Sequence, residues 1–479
     1  MTIMTDLINS EFSVLNIGIK KFYDDLNASD FQVIDKKWKP LMGGSPELSN
    51  KLAAIADDDR EVGLQIKLAN QKAFHQMVEA KPILKGIKPA MDVLKDMSPM
   101  TVLHAGPPIA WEDMCGAMKG AIIGGLIYEK LAAGKKEAEK LAASGEIEFA
   151  PCHSRDAVGP MAGVLTAHMP IMIVENDVHH TIGYASMNEG WGKTLRFGSF
   201  EDAVIHRLDW MQEELGPVLN DAINVKGGVN VQNLIARALH MGDECHNRDI
   251  AATALFYKEI IPSIIAVCKD KKKLSKILDF LTQHEHFFLN ICMAASKACL
   301  LAGHHIPNST MITAMARNGI EVGLLMSGSG EQWFTGKAEV PEGLYFPGFS
   351  EKDAGSDLGD SAITETIGLG AFAMAGAPAI VRFVGGTPDD AIRFTRQMGK
   401  ITLGNHPQHT IPALNFQGTP SRIDARLVVE SGIVPVINTG IAHKDPGYGL
   451  VGAGVVRAPF EAFVKAVEFS YSNFSVENK

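Results

Sequence analysis

No two cysteines sit at C-x-x-C spacing; the six, Cys115, Cys152, Cys245, Cys268, Cys292 and Cys299, are scattered along the chain. That excludes a zinc ribbon, suggests no disulfide framework and fits a reducing cytoplasm. A dense basic stripe is also missing. Lys plus Arg number 45 against 55 Asp plus Glu, a formal charge of −10, so no nucleic-acid partner is expected. No apolar run approaches the roughly 20 residues that a membrane helix requires. The most apolar helical stretch, residues 117–127, is short and glycine-rich, and residues 1–12 hold no apolar signal core. No H-E-x-x-H spacing occurs. The pairs His179-His180 and His304-His305 are adjacent, and adjacent side chains diverge on a regular element. Neither a metal nor a cofactor is therefore expected.

What is there is a globular composition, 46% apolar and 21% charged over 479 residues, which argues against extensive disorder. A chain of this length divides naturally into two or three domains. Residues 13–34 read as a β–α–β unit with Gly18 at the strand end, lacking the full glycine fingerprint of a dinucleotide site. Residues 46–95 look helical and exposed. Strands are predicted at 101–104, 147–150 and 170–174, with a helix from about Glu112 whose glycines at 116, 120, 124 and 125 suggest close packing. Helical periodicity takes over at 203–215, 231–241, 250–267, 274–280 and 287–301, with a charged turn at 269–273. Beyond that the chain is glycine-rich, with strands predicted at 381–384, 434–438 and 451–457. The expected architecture is α/β (α+β): an N-terminal α/β domain over 1–199, a helical domain over 200–304 and a glycine-rich α/β domain over 305–479.

Four constellations could carry chemistry. The sharpest is the run 237–249, which holds Arg237, His240, Glu244, His246 and Arg248. If its helix were continuous, Arg237, His240, Glu244 and Arg248 would share one face. A stop at Gly242 is the preferred reading, with Asn247 capping the next helix. His240, Glu244, His246 and Arg248 are the catalytic candidates, since carboxylate, imidazole and guanidinium together can orient and polarise a small acidic substrate; a solvated junction of caps and ion pairs is the competing reading. The second is the small-residue run 323–334, with Ser327, Ser329 and Glu331, whose backbone amides could wrap an anion or form a tight turn. The third is the stretch 438–449, with Asn438, Thr439, His443 and Lys444, leaving a strand end where α/β proteins place ligands. The fourth is the loop 152–156, where Arg155 could bind a carboxylate or pair with Asp156. Arg237 joins Arg155 and these loop residues as candidate binders of substrate or phosphate.

Several segments together resemble the YlbE/YahG-like family: FSVLNIGI at 12–19, HAGPP at 104–108, RALHMGDECHNR at 237–248, NFQGTP at 415–420 and INTGIAHK at 437–444. The likeness covers nearly the whole chain. It implies an α/β part, a small helical domain and a second α/β part. It also implies a subunit of an oxamate carbamoyltransferase in anaerobic allantoin use, converting oxalurate and phosphate to oxamate and carbamoyl phosphate. Partner subunits follow: an FdrA-like chain similar to succinyl-CoA ligases, with a third subunit left open. The likeness implies no particular catalytic residues. The alternative is a non-catalytic ligand-binding or scaffold subunit of an FdrA-like, acyl-CoA ligase-related complex.

Overall fold

The computed structural model describes residues 13–17, 19–29, 31–36, 45–190, 192–384 and 386–477. Gly18 and the segment 1–12 lie outside the described residues. Helices and strands are mixed along the chain, with an unbroken run of helices from Val231 to Leu301, and the strands form several small sheets. The first unit is a parallel pair, Ser13–Ile17 with Gln32–Lys36, joined through the helix Lys20–Asn27. The largest sheet has five strands in the order Ala157–Val158, Ile182–Ser186, Pro170–Asn176, Pro82–Pro89, Val229–Asn230. Helix Phe288–Leu301 packs on this sheet so closely that a Cβ on Gly183 would meet the Ala294 carbonyl oxygen at 2.1 Å. Three antiparallel sheets follow, one of them the pair Thr402–Ile411 with Gln417–Ile423. The other two are larger. One pairs Ile312–Asn318 with Glu321–Met326, and the other pairs Val436–Ala442 with Leu450–Arg457.

The strand Pro82–Pro89 was expected to be helical. Its residues alternate between buried and half-buried over the first four positions, and pairing on both sides fixes it as a strand. The segment 381–384, expected as a strand, lies instead in the short 3₁₀ helix Pro378–Val384. The charged turn expected at 269–273 is partly helical: Asp270 caps the helix Lys271–Thr282 by accepting from the amides of Lys272 and Lys273. Helix Ile250–Val267 is long and apolar enough, by length and composition, to cross a membrane, which the sequence reading did not anticipate. One side of it, including Phe256, Ile260 and Ile264, is built into the main core. That core runs without a break from Met77 and Val174 through Leu219 and Phe288 to Leu325 and Ile411. The glycines of helix Gly116–Tyr128 do mark close packing. A Cβ on Gly120 would lie 2.4 Å from the Gly198 carbonyl oxygen, and one on Gly124 would lie 2.3 Å from Leu195.

Candidate functional site

A cleft with a cavity volume of about 150 Å³ opens where the three stretches of chain meet. Met161, Arg196 and Phe197 come from the first stretch, His246, Asn247, His286 and Leu289 from the helical one, and Ser361, Gly440, Leu450 and Gly452 from the last. The junction between helices Val231–Leu239 and Ile250–Val267 supplies one wall. Gly242 stops the first helix with φ +95°, as a left-handed position favours. The expected cap at Asn247 is not formed. Asp249 takes the N-cap position, and Asp243 Oδ2 accepts from the Ala252 amide at 2.8 Å. Asn247 turns toward the last third instead and donates to the Thr439 carbonyl oxygen at 3.3 Å.

The wall is built on buried carboxylates. His246 Nδ1 lies 2.8 Å from both oxygens of Glu365. Glu365 also accepts from the amides of Asn438 at 3.0 Å and Ala371 at 3.1 Å, so its position is set from three directions. Glycine at 370 is required there, because a Cβ would stand 1.9 Å from Glu365 Oε1. With Nδ1 engaged, the other ring nitrogen of His246 is left for the cleft. Glu244 accepts from the amides of Arg248 at 2.6 Å and His246 at 3.3 Å, and from Asn438 Nδ2 at 3.1 Å. Burial pushes the Glu244 carboxyl up to about 7; the His246 charge opposes that and Glu365 adds to it. Across the cleft, His286 Nδ1 and Asp249 Oδ1 form an ion pair at 2.6 Å. Burial works against a charge on His286, but the Asp249 carboxylate outweighs it and raises the imidazole above its usual range. Arg196 is buried beside them. Its Nη2 donates to the Gly190 carbonyl oxygen at 2.8 Å, while Nε has no hydrogen-bond partner among the described residues. Burial lowers the Arg196 pKa, with the charges of Glu189 and Asp249 opposing. The cleft thus gathers a guanidinium and two imidazoles, each imidazole backed by a carboxylate. Such a set suits a small anion and can pass a proton.

Under the floor, the fully buried Arg317 grips Asp357 through Nε at 2.7 Å and Nη2 at 3.2 Å. Its Nη2 also donates to Thr439 Oγ1 at 3.3 Å. Next to Ser361, Asp360 accepts from the amides of Gly106 at 2.7 Å and Gly159 at 2.9 Å, and burial raises its carboxyl to about 7. These contacts tie the first and last stretches together beneath the cleft.

The residues singled out from the sequence divide sharply. His246 lines the cleft, Glu244 and Asn438 stand directly behind it, and Thr439 belongs to the Arg317 network. His240 does not share their surface: it is exposed, with Nε2 2.8 Å from Thr410 Oγ1 and its ring edge-on to Phe416. Arg237 is exposed on the same outer side, which removes the single-face arrangement of a continuous helix. Arg248 turns to the junction backbone, donating to the Gly242 carbonyl oxygen at 3.0 Å. Arg155 pairs with Glu148 at 3.2 Å rather than with Asp156. The run 323–330 is no anion cradle at its first turn, because the amides of Ser327 and Gly328 already donate to the carbonyl oxygens of Met311 and Ser309. Ser329 Oγ turns back to the Met326 carbonyl oxygen. Asn438 and Thr439 lie within the strand Val436–Ala442 and not in a loop. His443 is buried against Tyr448, with ring centroids 4.1 Å apart, and Lys444 is exposed. The pair His304-His305, expected to diverge, converges on Glu331.

Arg196, His286, Asp249 and Glu365 were not among the sequence candidates. Glu365 left a signal: it is the only charged residue between Asp360 and Arg382, inside an apolar and small-residue run. Arg196 and His286 left none that distinguishes them from surface charges.

Comparison with known proteins bears on this site. The family described as oxamate carbamoyltransferase subunit AllG matches residues 147–361. The uncharacterized protein YahG of Escherichia coli (strain K12) is 47% identical over 461 residues, covering 96% of this chain and 97% of YahG. This chain belongs to the YahG/AllG-like family. The oxamate carbamoyltransferase subunit AllG of the same organism is 42% identical over 403 residues, 84% of this chain and 96% of AllG. A crystal structure of a conserved protein of unknown function from Enterococcus faecalis V583 superposes with a TM-score of 0.84 at 44% identity. It covers 85% of this chain and 98% of that one. The stretch matched to the AllG family contains Arg196, His246, Asp249, His286 and Ser361; Glu365 lies just beyond it, and the strand carrying Asn438 lies far outside it.

Proposed function

We propose that this chain is a subunit of an oxamate carbamoyltransferase-type complex and that the cleft around His246 is its carbamoyl-transfer site. The observation that carries the reading is the convergence of Arg196, His246 and His286, two of them backed by buried carboxylates. The AllG relative is the named precedent. In this reading an oxygen of phosphate bonds to the carbamoyl carbon of oxalurate, and the bond from that carbon to the oxamate nitrogen breaks. The leaving nitrogen takes a proton, which His246 delivers. Arg196 and His286 hold the anionic groups and stabilise the charge that gathers on the carbonyl oxygen. Neither a redox group nor a covalent nucleophile is needed.

The partner in this proposal is an FdrA-like subunit, and the setting is the cytoplasm, in keeping with the six free cysteines. A scaffold role is the second reading. It is favoured by the first unit, where Leu15, Ile19, Phe22, Phe31 and Ile34 are all exposed and apolar. The test is carbamoyl phosphate formation from oxalurate and phosphate by the complete complex. Substituting His246 should abolish most turnover while gel filtration shows intact assembly. Full turnover by the variant complex would move the chemistry to a partner chain. Product that depends on coenzyme A would favour the ligase-related reading.

A further inference from the structure

Away from the cleft, two loops are fastened together at the end of helix Phe288–Leu301. Ser327 Oγ donates to the Gly303 carbonyl oxygen at 2.5 Å, and the amides of Ser327 and Gly328 donate to Met311 and Ser309. This clamp sets the turn carrying His304 and His305 against the loop carrying Glu331. Adjacent side chains on regular backbone point apart. Here His305 takes φ +59°, a left-handed conformation that costs a non-glycine residue of order 1 kcal/mol or more. The result is that the two rings lie side by side, with centroids 4.0 Å apart. Both Nε2 atoms then face the same oxygen, Glu331 Oε1, at 3.8 Å from His304 and 3.5 Å from His305.

Thr313 Oγ1 lies 2.9 Å from His304 Nδ1 and 3.4 Å from the Leu325 carbonyl oxygen. With Nδ1 held by this hydroxyl, the His304 ring directs Nε2 toward Glu331. A hydrogen-bond partner on the distal nitrogen, which sets the ring's orientation, is the usual support of a ligating imidazole.

We propose that His304 Nε2, His305 Nε2 and Glu331 Oε1 form a binding site for a divalent transition-metal ion, of which zinc fits best. The three ligand atoms lie within 4.8 Å of one another. Tetrahedral zinc with bonds near 2.0–2.1 Å needs ligand atoms roughly 3.3 Å apart, so closing the site takes a few tenths of an ångström at the measured pairs. Two imidazoles and one carboxylate select zinc and its neighbours over magnesium or calcium, which prefer all-oxygen shells. His305 and Glu331 are exposed, which leaves a fourth position open to water or to a group from a partner. The ammonium of the buried Lys297 is the main opposing charge; it lies 3.6 Å from Asp156 Oδ1, which offsets part of it. This site is separate from the cleft residues and does not depend on the carbamoyl-transfer reading.

The test is calorimetric titration of the untagged full chain with zinc chloride, accompanied by cobalt(II) absorption spectra. One ion per chain and a tetrahedral cobalt spectrum are expected. His305→Ala and Glu331→Gln should each weaken binding by about 10-fold or more, and Thr313→Val by a smaller factor. His305 and Glu331 are surface residues, so circular dichroism should be unchanged in their variants. Absence of saturable uptake overturns the proposal. So does zinc binding that survives both the His305 and Glu331 substitutions, or magnesium binding with equal strength.

Discussion

The polar run 237–249 has two halves that use the same residue types for different ends. On the outer half, Arg237 and His240 are exposed beside Met241, which is 58% exposed. On the inner half, Glu244 and Asp249 are fully buried and His246 nearly so. The outer side chains are exposed, and His240 meets one threonine hydroxyl. The inner ones are met by groups from distant segments: Glu365 for His246, Asn438 for Glu244 and His286 for Asp249. A buried charge is tolerated only with such partners. The lesson is that a histidine's neighbours in space, and not its neighbours in sequence, decide whether it can do acid–base work.

The largest effect that would break this comparison is on turnover. His246→Ala should lower carbamoyl phosphate formation by the complete complex roughly 10²–10⁴-fold, the usual worth of a positioned acid–base group. His240→Ala should leave it unchanged. Equal losses in the two variants would erase the distinction between the halves. Next comes Arg196→Gln, which should raise KM for the anionic substrate about 10- to 100-fold, equivalent to losing one charge-assisted hydrogen bond. Arg237→Gln, on the outer side, should not change KM.

A smaller effect is expected in stability. Asp249→Asn leaves His286 without its carboxylate and should cost about 1–3 kcal/mol in a urea melt. His286 has its pKa raised in the folded protein, so the pair's contribution is full below the unfolded value near 6.5 and fades as pH rises through the folded value. The Asp249→Asn penalty should therefore be larger at acidic than at alkaline pH. A penalty independent of pH would show that the pair is not titrating. The smallest effect is that of Glu244→Gln. Its carboxyl titrates at about 7 in the fold, above the roughly 4.3 of an unfolded chain. Between those values the folded state holds the extra proton, so this contribution is present at low pH and is lost as pH rises to about 7. Glutamine mimics the protonated form. The thermal midpoint of Glu244→Gln relative to the parent should thus rise by a few degrees between acidic and mildly alkaline pH, as followed by scanning fluorimetry.

Much of the fold was legible because helices announce themselves locally. The helix 250–267 was placed to the residue from its apolar pattern, and the stop at Gly242 from glycine followed by polar residues. The strand Pro82–Pro89 was not, because two prolines, a glycine and two lysines hide an alternation that only its partners on both sides reveal. In the candidate site, His246, Glu244 and Asn438 were visible as polar residues in apolar surroundings. Glu365 supports His246 from 119 positions away, a separation that no local pattern spans. The adjacent pair His304-His305 misled for a related reason: one left-handed residue reversed the direction of a side chain that regular backbone would have turned away.

The sequence by itself determined the helical middle of this protein, its glycine-rich last third, its mild acidity and its likeness to one family, since each is a property of composition or of short-range order. Only the tertiary structure decided which side of the 237–249 run faces inward, and that Arg196, His286 and Glu365 meet it there. Burying charge is costly, and the compensating groups come from segments that approach one another only when the chain has folded.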